Sequence, residues 1–134
     1  MPTPDTAAPA AATMYAALGG AEAVRTLVNR FYDIMDQDPA FAQLRALHAA
    51  DLAPMREKLT DWMCAWLGGP QHYFDRPDAV CFGAAHGGYA IDATLRDQWL
   101  DCMFRALADV GAAPSLQARI RTPLAELANF LRNR

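Results

Sequence analysis

Apolar residues recur every three or four positions in four long segments of this chain, the spacing of a helix with one buried face. In AEAVRTLVNRFYDIMDQ (21–37), Val24, Leu27, Val28, Phe31, Tyr32 and Met35 share that face. In DLAPMREKLTDWMCAWLGG (51–69), the face is Leu52, Met55, Leu59, Trp62, Met63 and Trp66. Asp51 is the expected N-cap there, Pro54 fits the first turn, and Gly68 ends the helix. In DATLRDQWLDCMFRALADVG (92–111), Leu95, Trp99, Cys102, Met103, Ala106 and Val110 line up ahead of Gly111. The last segment, SLQARIRTPLAELANFLRNR (115–134), uses Leu116, Ile120, Leu124, Leu127 and Leu131. Pro123 is expected to kink that helix, or to restart it with Thr122 as a new cap. A short helical turn around MYAALGG precedes the first long helix. No segment alternates like a strand, so the pattern predicts an all-α fold.

One region breaks the pattern. Between Gly68 and Ile91 lie five of the eight glycines, two prolines and no sustained helical period. Connections this long without regular structure are usually functional or disordered. Tyr73, Phe74, Val80, Phe82 and Tyr89 within it favour burial and hence order. At its centre, FGAAHGGYAI (82–91) places His86 among glycines and alanines, with no charged residue within five positions on either side.

Composition narrows the possibilities. A chain of 134 residues is one domain, long enough for a buried core. Residues 1–12, rich in proline and alanine, read as a loose tail, which leaves 13–134 as the domain. The net charge of -3 argues against nucleic acid, and no apolar run has the length of a membrane span. The opening lacks the basic start and apolar stretch of a secretory signal. Cys64, Cys81 and Cys102 form neither CxxC nor CxxCH, which points to a reducing cytoplasm and against covalent haem attachment.

His72, Cys81 and His86 match no familiar zinc spacing and lack a fourth ligand. Cys81 with His86 has nothing nearby to orient the imidazole or lower the thiol pKa. The doublets Gly19-Gly20, Gly68-Gly69 and Gly87-Gly88 match no phosphate loop and read as helix terminators or points of close backbone approach. Haem needs one imidazole on a slim segment, apolar walls, and polar groups on the gas-binding side. His86 supplies the first of these. Met55, Leu59, Trp62 and Phe82 could supply the second, and Tyr32, Trp99 and His48 the third, although the same residues also suit a packed helical domain with a spare histidine.

The order LGG, RFYDIM, LRALHAADL, WLGGP, a lone histidine and RDQWLDCM resembles the group II truncated haemoglobins, from about Met14 to Arg134. The most specific pieces are Phe31-Tyr32, Trp66 to Pro70 and the thirteen-residue step from His86 to Trp99. The resemblance implies a two-over-two helical sandwich, a truncated globin fold whose proximal segment is irregular and glycine-rich. It implies non-covalent haem b, with His86 as the iron ligand and Tyr32, Trp99 and His48 around the gas. Leu59 and Trp62 match wall positions, and Lys58 matches a partner of a haem propionate. Met55 stands where this group tends to have a small residue, which narrows one entry path for a ligand.

The expected ligands are O2, CO and NO, held tightly by the distal donors. NO dioxygenation or peroxidase-like chemistry would require a separate reductase, since 134 residues leave no room for a flavin domain. The family usually carries arginine directly before the proximal histidine, and proline then phenylalanine soon after. Here Ala85 precedes His86 and Gly87-Gly88-Tyr89 follows. Weaker haem retention is therefore expected, with Lys58 and Arg76 compensating. The rival reading is a helical interaction or sensory module that has lost haem. Against it stands the cost of burying Tyr32, His48 and Trp99 without partners.

Overall fold

The computed structural model describes residues 12–77, 79 and 86–134. The described residues form helices α1 (Met14–Leu18), α2 (Ala21–Gln37), α3 (Ala42–Arg45), α4 (Ala53–Trp66), α5 (Ala93–Asp109) and α6 (Pro114–Leu131), with no strand among them. Single tight turns at Pro39–Phe41 and His72–Asp75 interrupt the connections. None of these helices is long and apolar enough to cross a membrane.

The apolar stripes become buried faces. Val24, Leu27, Val28, Phe31, Tyr32 and Met35 of α2 are all buried, and Ile34 joins them. Burying one large apolar side chain contributes about 1.5–3 kcal/mol, so these positions fix how α2 faces its neighbours. It packs against both α4 and α5, and α5 packs against α6, giving two stacked helix pairs. Polar ties set the crossings. Arg56 of α4 bonds Asp33 Oδ1 (2.8 Å) and the Asn29 carbonyl (3.0 Å) on α2. The Cys102 thiol of α5 donates to the Phe31 carbonyl at 3.3 Å, and burial pushes that thiol up to about 12.

The N-cap of α4 departs from expectation, and of the two courses expected at Pro123 α6 does not take the restart. Leu52 occupies the N-cap of α4, and Asp51, one residue earlier, accepts from the Ala53 N–H at 3.0 Å. The carboxylate thus serves the first turn from outside it. Helix α6 runs through Pro123 without restarting at Thr122. A proline inside a helix costs about 3 kcal/mol. Leu116, Ile120 and Leu124 are buried on either side of it and hold one continuous face against the core. Asp92 caps α5, accepting from Leu95 N–H at 2.9 Å. Of the expected tail, residues 1–11 lie outside the described residues, while the Ala12 carbonyl accepts from Arg119 at 3.0 Å.

The Gly68-Gly69 doublet both ends a helix and permits a close approach. Gly68 has φ +98°, beyond the C-cap of α4. A Cβ at residue 69 would stand 2.5 Å from the ring of Tyr15, whose N–H donates to the Leu67 carbonyl at 2.9 Å. Gly69→Ala should therefore push α1 off the end of α4. The expected cost is about 1–3 kcal/mol, read as a lower urea midpoint with unchanged slope. An unchanged midpoint would show that α1 yields freely.

Candidate functional site

A cavity of about 380 Å³ lies between the helix pairs, within the 300–1,000 Å³ range usual for small-molecule and cofactor sites. It gathers residues far apart in the chain. Tyr32 comes from α2, and Leu44, Leu47 and His48 from α3 and the turn after it. Met55, Lys58, Leu59 and Trp62 come from α4, Leu95, Arg96 and Trp99 from α5, and Ala128 and Leu131 from α6. The irregular connection adds Tyr73, His86, Tyr89 and Ile91. Of the nine candidate site residues, eight meet here. The ninth, Phe82, lies outside the described residues, as do Cys81 and the other residues from 80 to 85.

Tyr32 is 2% exposed. Its ring meets Phe31 edge-on at 5.0 Å and His48 at 5.8 Å, and the Arg56 guanidinium lies 5.8 Å from its centroid. Burial raises the phenol pKa above its ordinary value, so the hydroxyl keeps its proton and can donate. Trp99 is half-buried and meets Phe31 edge-on at 5.7 Å. Phe31 therefore wedges between the two groups from inside the core. Neither the Tyr32 hydroxyl nor the Trp99 indole donates a hydrogen bond to another described residue.

His48 is held differently. Its Nδ1 lies 3.0 Å from the Leu44 carbonyl, which can only accept, so Nδ1 carries the ring proton. Burial lowers the pKa of this imidazole, with Arg45 and His86 adding to the effect, and the neutral ring prevails. The other nitrogen, Nε2, is then an acceptor. Of the three polar candidates Tyr32, Trp99 and His48, the first two are accordingly the donors and His48 is the acceptor. Its segment is cinched by Arg45, which bonds Asp36 Oδ1 at 2.8 Å and the Ala49 and Ala50 carbonyls at 3.0 Å.

His86 is half-buried with helical backbone geometry, and a turn begins at Gly87. The Tyr89 N–H donates to its carbonyl at 3.1 Å. Arg76, expected to help hold a carboxylate of the ligand, does not line the cavity. It pairs with Asp61 at 2.7 Å. Lys58 does line it, and the second basic residue there is Arg96. The step from Arg96 to Trp99 puts both on neighbouring turns of one helix side, a readable signal that was missed. The Asn129 carboxamide oxygen accepts from Arg96 at 2.9 Å and steadies it.

A haem requires an imidazole, flat apolar walls and cations for its two carboxylates. His86, the walls built on Leu59, Trp62 and Leu95, and the pair Lys58 and Arg96 fit that requirement. Stacked helix pairs around such a cavity define a small globin.

The comparisons with known proteins agree. The chain belongs to the bacterial-like globin family, which matches residues 13–133, and within it to the group II truncated haemoglobins. It is 30% identical over 92 residues to the group 2 truncated hemoglobin YjbI of Bacillus subtilis, covering 69% of this chain and 67% of that one. The group II 2-on-2 hemoglobin of Agrobacterium tumefaciens is 35% identical with a TM-score of 0.85, covering 91% of this chain and 95% of its own. The cold-adapted truncated hemoglobin of Pseudoalteromonas haloplanktis is 31% identical with a TM-score of 0.86, covering 92% and 99%. Membership of the globins implies a haem cofactor and small gas ligands.

Proposed function

We propose that this protein holds non-covalent haem b through His86 and retains oxygen by hydrogen bonds from Tyr32 and Trp99. One observation carries the reading. Two buried or half-buried donors, Tyr32 and Trp99, neither of them spent on another described residue, line the same cavity as His86. When bound, haem supplies a ferrous iron that takes O2, CO or NO reversibly and shifts electron density toward oxygen.

The residues of the chain do the rest. The Tyr32 hydroxyl, kept protonated by burial, and the Trp99 N–H meet that density as donors. His48 completes the wall beside them, its ring meeting that of Tyr32 edge-on at 5.8 Å between centroids. Leu44, Leu59 and Leu95 exclude water and so strengthen each hydrogen bond. Met55, half-buried at the wall, narrows access. Lys58 and Arg96 hold the haem carboxylates in place of the arginine absent before His86. Such a pocket suits oxygen retention or sensing better than rapid delivery. Any redox turnover would draw electrons from a separate reductase. A truncated haemoglobin described as oxygen-avid, from Bacillus subtilis, has a similar fold at a TM-score of 0.81 and 26% identity, which supports this direction.

Trp99→Phe tests the proposal. Oxygen release measured by stopped flow should accelerate about tenfold, the low end of a hydrogen bond to a charged acceptor. An unchanged rate would remove the indole from the account.

A further inference from the structure

No charged residue lies within five positions of His86, and two glycines follow it. Contacts from another element bear on where the segment that carries the imidazole stands. Beyond the end of α6, the Asn133 side chain reaches back to that segment. Its Nδ2 donates to the Tyr89 carbonyl at 2.7 Å, and its Oδ1 accepts from the Ile91 N–H at 2.8 Å. The Asn133 and Arg134 backbone N–H groups both donate to the Ile91 carbonyl, at 2.8 and 3.1 Å.

A carboxamide has the donor and acceptor geometry of a peptide group. Asn133 therefore pairs with residues 89–91 much as a neighbouring strand would, fixing three backbone groups within five residues of His86. Tyr89, Ile91 and Leu131, which flank these bonds, all line the cavity. The same end of α6 steadies Arg96 through Asn129.

We propose that Asn133 is a positioning residue for His86: it clamps the 89–91 segment and thereby sets the imidazole at the cavity edge. The proposal rests on the haem reading above. It assigns to a residue outside the cavity the restraint that the missing arginine would otherwise supply.

The test compares wild type with Asn133→Ala, which removes both side-chain bonds, and Asn133→Asp, which keeps the acceptor for Ile91 but loses the donor to Tyr89. Haem transfer to excess apomyoglobin should be about tenfold faster in Asn133→Ala and intermediate in Asn133→Asp. The iron–histidine stretching band of the ferrous protein, seen by resonance Raman, should shift or broaden in the same order. A general loosening of the fold would lower the melting temperature without moving that band. In protein free of haem, exchange of the Ile91 amide should also accelerate about tenfold in Asn133→Ala.

Faster Ile91 exchange with a wild-type band and haem-transfer rate would overturn the positioning role. Unchanged Ile91 exchange would overturn the clamp itself. If wild type takes up no haem, the proposed function falls, and with it the role assigned toward the iron. The Ile91 exchange still decides the clamp in that case. Should Asn133→Ala not fold, Asn133→Asp gives the same readings at smaller amplitude.

Discussion

His86→Ala should leave the protein folded and unable to retain haem. The side chain is half-buried beside a turn, so its removal opens no large cavity in the core. The cost to the haem-free fold should stay within about 0.5 kcal/mol, the usual range for substitutions away from the core. Haem affinity is a different matter. Loss of a group that merely supports a metal ligand already costs about 10–100-fold in affinity. Removing the axial ligand itself should exceed the upper end, read as haem transfer to an acceptor globin at least about 100-fold faster than wild type. Imidazole added to the solution should restore part of the ferrous spectrum by entering the vacated place. Retention equal to wild type would mean that another group, with His48 the first suspect, ligates the iron.

The second large effect is expected from Tyr32→Phe combined with Trp99→Phe. Each donor aimed at an acceptor with anionic character contributes about 1.5–3 kcal/mol. At the low end each is worth about tenfold in release rate, and two independent donors about a hundredfold. Independence is the point at issue, because Phe31 touches both rings, at 5.0 and 5.7 Å. The two single variants and the double therefore form a cycle that measures the coupling. Carbon monoxide takes on little negative charge, so its release should change far less than that of oxygen. Equal acceleration of both gases would point to a steric cause. Tyr32→Phe keeps the buried ring and removes only the hydroxyl, so it separates donation from packing more cleanly than Trp99→Phe.

The long helices were legible because burial of one face imposes a period that survives in the sequence. The α2 stripe from Val24 to Met35 is the clearest case, with only Ile34 overlooked. The site was legible to the extent that its residues sit on those stripes: Tyr32, Leu59, Trp62 and Trp99 each occupy a buried or half-buried face and also line the cavity. The short elements between α2 and α4 were missed for the opposite reason. The turn at Pro39–Phe41 is capped by Asp38, which accepts from the Ala40 N–H at 2.9 Å, a local signal spanning too few residues to show a period.

At Pro123 the helix shows no restart, because the local penalty is set against a packed face visible only in three dimensions. Arg76 and Arg96 exchanged places for a similar reason. An arginine close to His86 in the chain went to Asp61, while the one at the cavity arrived on another helix. The proton on His48 Nδ1 depends on the Leu44 carbonyl, and no residue pattern states where a carbonyl points. The clamp from Asn133 joins groups more than forty residues apart and leaves no trace in any local window.

The most direct measurement is the absorption spectrum of the wild-type protein titrated with haem, reduced, and recorded before and after carbon monoxide. Uptake should stop at one equivalent, with a five-coordinate ferrous spectrum that carbon monoxide shifts completely. Failure to bind haem stoichiometrically, or a reduced spectrum that carbon monoxide leaves unchanged, would contradict the assignment of this cavity to haem and its gas ligands.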